Sequence, residues 1–255
     1  MKMLYALVGI SMLGLSVMVF SKEEFLVIGH RGACGYVPEN TLSSFKKAVE
    51  LGVDMIEFDV HCCASGELMV IHDNTLDRTT NTTGYIKDFT LDQLNNAVNI
   101  KNSKERIPTL NEVLDTIGHA AMIAIELKGP GTAQPVARIV QEYLDKGWHS
   151  DNFYILSFDH LQLQEFHEYL PEIKRCATVY GMPLEYPLYA KKHGFNAVAT
   201  CYEYATQQFV AAAHKAGLKV FIYTANDPHI IKKLLEIGVD GIFSDYPDRI
   251  QHELK

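Results

Sequence analysis

The stretch "FLVIGHRGACGYVPENTLSSFKKAVELG", residues 25–52, joins three kinds of sequence in one run. Phe25–Ile28 is a short apolar run with the length and composition of a buried strand. Thr41 opens an amphipathic run that Gly52 closes, so a helix is expected over 41–51, with a hydroxyl to cap its first turn and a glycine to end it. Between them lie His30, Arg31, a glycine-rich turn and Glu39-Asn40-Thr41. The polar cluster therefore sits on a loop leaving the C-terminal end of a strand, where α/β enzymes keep their chemistry.

The same alternation continues to the C-terminus. "DMIEFDV", "MIAIELK", "FYILSF", "IKRCATVY", "NAVATCY", "LKVFIYTA" and "GIFSD" read as further strands. Helical patterns fill the gaps at 109–117, 132–146, 160–170, 183–193, 205–216 and 227–237. Eight strands alternating with helices predict an α/β protein with a parallel sheet, most economically a closed (β/α)8 TIM barrel. An open doubly wound sheet is the competitor, but no G-x-G-x-x-G follows the first strand. Two features break the rhythm. "ELMVIHD" follows the second strand after too short a turn for a parallel crossover, so it should be a hairpin partner. Residues 73–106, rich in Thr, Asn and Asp, then read as a polar insertion at the barrel mouth.

The chain has 255 residues, 47% hydrophobic and 21% charged, which suits one globular domain over 22–255. A net charge of −8 argues against a nucleic-acid partner, because no basic stripe is available to replace phosphate counterions. Any phosphate site must then work through local arginine, lysine or a metal. Five cysteines without a C-x-x-C pair suggest neither a zinc motif nor a disulfide framework. Cys62 and Cys63, neighbours on a strand, read as packing thiols. At the N-terminus, Lys2 precedes eighteen uncharged residues and then "SKEE". Residues 1–21 fit a secretory signal peptide or an uncleaved membrane anchor, with membrane association through residues 3–20. Either reading implies export, to the periplasm or the outside, or an outward-facing anchored domain.

The chemistry collects at strand ends. Glu57 and Asp59 are two apart on an otherwise apolar strand, so both carboxylates share one face and repel each other unless a cation lies between them. Glu126 and Lys128 repeat that spacing on another strand. Three carboxylates converging as oxygen donors suit one hard divalent cation, Ca²⁺ or Mg²⁺. His30 and His72 each end an apolar run, and two imidazoles at a rim can serve as acid and base. His61, in phase with the two acids, could in principle join a metal but is read as an ordinary strand residue. Arg31 can hold two phosphate oxygens in its planar fork, and Lys128 adds a second positive charge. Phosphodiester cleavage uses all of these groups.

The blocks "GHRGACGYVPENTLSSFKKAVELGVDMIEFDV", "VIHDNTLDRTTNTTGYIKDFTLDQL", "IPTLNEVL", "IELKG" and "GIFSDYPD" resemble the glycerophosphodiester phosphodiesterase family from about Phe25 onward. The resemblance implies a TIM barrel with a small insertion before the third main strand. It also implies hydrolysis of glycerophosphodiesters, such as glycerophosphocholine or glycerophosphoethanolamine, to glycerol 3-phosphate and an alcohol. His30 and His72 match the family's acid–base pair, Glu57, Asp59 and Glu126 its metal ligands, Arg31 its phosphate contact, and Lys128 the lysine beside the last ligand. Glu39 and Asn40 match a supporting motif, Glu39 being a candidate for a place near the metal. Where the family often has Trp-Thr on the seventh main strand, this chain has Tyr223-Thr224, so Tyr223 is expected to form a smaller substrate wall. Lysophospholipase D activity on lysolipids is the rival reading, and a non-catalytic phosphodiester-binding barrel is a third.

Overall fold

The computed structural model describes residues 25–183 and 185–255. The signal peptide or anchor read over 1–21 lies outside the described residues. In chain order the first half comprises β1 (Leu26–Gly29), α1 (Leu42–Glu50), β2 (Met55–Cys62), β3 (Leu68–Val70), α2 (Leu91–Ala97), α3 (Leu110–Ile117), β4 (Met122–Leu127), α4 (Ala133–Asp145) and β5 (Phe153–Ser157). There follow α5 (His160–Tyr169), β6 (Lys174–Val179), α6 (Tyr186–Lys192), β7 (Ala197–Cys201), α7 (Gln207–Lys215), β8 (Lys219–Tyr223), α8 (Pro228–Glu236), β9 (Gly241–Ser244) and α9 (Pro247–Glu253).

Eight of the strands are parallel neighbours in the order β1-β9-β8-β7-β6-β5-β4-β2, and β1 also pairs with β2, which closes the TIM barrel. β3 is the ninth strand. It runs antiparallel to the far end of β2, with Val60 opposite Val70 and Cys62 opposite Leu68, as the short turn requires. Because β1 pairs only with Met55 and Ile56 at the start of β2, the hairpin takes over that edge where β1 ends.

The period-two alternation of the strands builds two cores. Outward-facing residues such as Ile56, Phe58, Ile125 and Ile155 pack under the helices with Phe45, Leu114 and Phe166. Inward-facing residues fill the barrel with small and large side chains in alternation, including Ala124, Ala197, Ala199, Tyr154, Phe221 and Phe243. This inner plug sets the height of the site. On β2 the inward series is Met55, Glu57, Asp59, and on β4 it is Ala124, Glu126, so the apolar plug stops where the carboxylates begin.

The region 73–106 has a small core of its own. Ile71, Leu76, Ile86, Leu94, Val98 and Ile100 cluster with Met69 of β3, and α2 is fixed by a Thr90–Gln93 capping box. Its polar sequence thus covers a compact excursion beside the mouth. Among the described residues no helix is long and apolar enough to cross a membrane, and the five cysteines are free thiols.

Candidate active site

The loop after β1 is folded tightly onto α1. Thr41 caps that helix by accepting from the Ser44 amide, and the Ser44 hydroxyl donates to the Arg31 carbonyl at 2.9 Å. Gly32 has φ +87°, and a Cβ there would lie 2.3 Å from Ser44 Oγ, so only glycine permits the approach. Arg31 and Asn40 themselves take positive φ, 50° and 56°. The result is that the loop aims its polar groups back into the barrel. The Arg31 amide donates to Glu57 Oε2 at 3.0 Å, and Asn40 Nδ2 donates to Asp59 Oδ2 at 3.0 Å.

Glu57, Asp59 and Glu126 are 3%, 1% and 9% exposed, and one oxygen from each lies within 4.8 Å of the others. Parallel pairing sets Asp59 directly beside Glu126. So much buried negative charge holds protons tightly. Burial first, then Asp59 and Glu126, push the Glu57 carboxyl well above the usual carboxylate range. Burial and Asp59 push Glu126 up to about 7. Lys128 Nζ lies 3.0 Å from Glu126 Oε1 and 3.8 Å from Asp59 Oδ1. Burial pulls its ammonium pKa down, but the two carboxylates raise it more. Arg31 follows the same logic beside Asp59, Glu39 and Glu57. Asp59 Oδ1 nevertheless has no hydrogen-bond partner. A buried oxygen left unmet beside two further carboxylates fits a hard divalent cation.

His30 and His72 line a cavity of about 160 Å³ with Glu57 and Glu126 of this cluster, and Arg31, Lys128, Phe158 and Tyr223 line it too. Each imidazole is held at Nδ1 by a carboxylate: His30 by Asp245 Oδ1 at 2.6 Å, His72 by Asp73 Oδ1 at 2.6 Å. Such partners fix the ring orientation and leave Nε2 for the cavity side. Asp245 is itself held by Asn226 Nδ2 at 2.6 Å. Asp73 is gripped by Arg78, whose Nε donates at 2.7 Å. Arg78 keeps Asp73 ionised far below the usual range. His30 and the other partners of Asp245 outweigh its burial to the same effect. His72 is shifted down, mainly by burial.

The remaining sequence candidates fall around this centre. Glu39 lies between Arg31 Nη1 at 2.8 Å and Arg78, which donates to both of its oxygens. It braces the two arginines and is not one of the three carboxylates that converge. Tyr223 presents its ring to the cavity, while its hydroxyl donates away to the Val179 carbonyl at 2.8 Å. His61 bonds the His72 carbonyl at 3.0 Å and supports that strand end, in line with its ordinary reading. Asp73, Asp245 and Arg78 carried no assignment from the sequence. Acids next to a strand-end histidine, or at the end of the last barrel strand, were the available signal.

Comparison with known proteins agrees with this geometry. Residues 30–249 match the model of the glycerophosphoryl diester phosphodiesterase family. A glycerophosphodiester phosphodiesterase of Caldanaerobacter subterraneus is 35% identical over 88% of this chain and 96% of its own length. One from Bacillus altitudinis is 34% identical over 90% of this chain and 99% of its own. The structure of an Oleispira antarctica phosphodiesterase in complex with the product sn-glycerol-3-phosphate superposes with a TM-score of 0.82 at 30% identity, over 89% and 95% of the two chains. With its closed barrel, its strand-end site and a family match across most of its length, the chain belongs to the glycerophosphoryl diester phosphodiesterase family.

Proposed function

We propose that this enzyme hydrolyses glycerophosphodiesters, such as glycerophosphocholine or glycerophosphoethanolamine, by histidine acid–base catalysis at the barrel mouth. The observation that carries the reading is the convergence of Glu57, Asp59 and Glu126, with Glu57 and Glu126 lining one cavity together with His30 and His72. A single Ca²⁺ or Mg²⁺ bound by those carboxylates would supply Lewis-acid charge to the phosphoryl oxygens.

The chain's own residues do the rest. Arg31 and Lys128 hold positive charge beside the position of the phosphate and favour its more anionic transition state. One imidazole takes the proton of the attacking hydroxyl at Nε2, and the other gives its Nε2 proton to the departing alcohol oxygen. Asp73 and Asp245 stabilise the imidazolium that each cycle requires. The product is glycerol 3-phosphate. The test is His72→Ala: it should abolish release of glycerol 3-phosphate from glycerophosphocholine while calorimetric cation binding persists. Turnover at the wild-type rate would refute the assignment.

A second substrate class has its own support. Phe158 and Tyr180, each just past the C-terminal end of a strand, are 46% and 65% exposed at the mouth, and such a rim suits an acyl chain. Lysolipid turnover exceeding that of glycerophosphocholine would move the reading to lysophospholipase D. The basic and apolar pattern of residues 1–21 supports an exported enzyme, and cell fractionation tests it.

A further inference from the structure

Cys34 has no part in the proposed hydrolysis, yet it sits on the loop leaving β1 and touches the carboxylate that holds His30. Its Sγ donates to Asp245 Oδ1 at 3.0 Å, the same oxygen that binds His30 Nδ1 at 2.6 Å. A thiol, an imidazole nitrogen and a carboxylate oxygen thus lie within 4.8 Å of one another, all half-buried and reachable from solvent. The geometry points to a second cation site at His30, Cys34 and Asp245, one that takes zinc or a similarly borderline-soft ion and switches the enzyme off.

The two clusters differ in chemistry. Glu57, Asp59 and Glu126 offer oxygen alone and select hard ions. Cys34 and His30 offer sulfur and nitrogen, which Zn²⁺ prefers, and three protein ligands leave its fourth tetrahedral position open. The ion would replace the two hydrogens now shared with Asp245. The Cys34 thiol proton is released to solvent as the Zn–S bond forms. The proton on His30 Nδ1 is displaced, and the neutral ring carries its proton on Nε2 instead. No oxidant or other co-reactant is needed.

Inhibition follows from that tautomer and rests on the catalytic reading of His30. A ring ligated through Nδ1 cannot become an imidazolium without leaving the metal. It therefore cannot alternate between accepting and donating at Nε2, and Asp245 no longer serves as its partner. Burial and the adjacent Asp245 carboxylate push the Cys34 thiol pKa up, so the thiol stays protonated and quiet until a metal displaces the proton.

The test uses the full enzyme in saturating Mg²⁺ or Ca²⁺, titrated with zinc, with each variant referred to its own zinc-free rate. Wild type should be inhibited, and Cys34→Ala should need about tenfold or more zinc for half-inhibition. Cobalt(II) added as a probe should give the intense near-ultraviolet thiolate band in wild type and in Glu126→Gln, and not in Cys34→Ala. Retention of the band in Glu126→Gln, which is expected to lose turnover, separates this site from the oxygen cluster. Equal zinc sensitivity in wild type and Cys34→Ala, or a cobalt band that survives loss of Cys34, would overturn the proposal.

Discussion

Replacing Glu126 by Gln should stabilise the metal-free protein while destroying its activity. In the folded chain the Glu126 carboxyl is pushed from 4.5 up to about 7 by burial and by Asp59. The folded state therefore binds this proton more tightly than the unfolded chain does. Between those two values stability falls as pH rises, and above the upper one the full cost of the charge is present. At 1.36 kcal/mol per pH unit the cost is at most about 3 kcal/mol. Glutamine keeps an oxygen for Lys128 Nζ, now 3.0 Å from Glu126 Oε1, and removes the charge. In excess chelator at about pH 8, Glu126→Gln should melt higher by up to roughly 6–12 °C, given 2–4 °C per kcal/mol at this size. At roughly pH 5, where the folded wild type is already protonated, the two should nearly coincide. Divalent cation should then reverse the order, raising the melting point of the wild type and barely moving the variant. Thermal scans by circular dichroism read all three conditions. A variant that melts at or below wild type in chelator at the higher pH, or a difference independent of pH, would refute the account of a frustrated carboxylate cluster.

Further expectations follow from the groups behind the histidines and from the core. Asp73→Asn and Asp245→Asn present an amide to Nδ1 and favour the wrong tautomer, so each should cut kcat by about 100-fold or more with a smaller change in KM. Arg78→Ala frees both Asp73 and Glu39; kcat should drop about tenfold, and the pH–rate limb belonging to His72 should move to higher pH as the Asp73 charge is no longer shared with a guanidinium. Arg175 is buried at 2% exposure and donates to the carbonyls of Leu163 and Gly194 at 3.2 and 3.0 Å. Arg175→Ala leaves these carbonyls unmet and should cost roughly 3 kcal/mol in denaturant unfolding, with kcat unchanged.

What the sequence made legible was local. Apolar runs of strand length marked all eight barrel strands, and the two-residue spacing of Glu57 with Asp59 put their carboxylates on one face. The hairpin at β3 followed from the shortness of its turn. The helices α2 and α9 went unread because each is short and polar enough to pass for loop. The partners of the histidines are a different matter. Asp245 is 215 positions from His30 and meets it only because β9 closes the barrel onto β1. Arg78 lies in the polar insertion, where its charge had no periodic pattern to interpret, and its role appears only when Glu39 and Asp73 are folded onto it. Strand periodicity carries the metal-type cluster; barrel closure carries the groups that tune the imidazoles.

The central claim is that one divalent cation sits among Glu57, Asp59 and Glu126 beside the phosphate. Anomalous diffraction from crystals grown with Mn²⁺ and glycerol 3-phosphate tests it most directly. One strong peak should appear in contact with all three carboxylates and with a phosphate oxygen, between His30 and His72. A peak elsewhere, or none while the phosphate is bound, would contradict it.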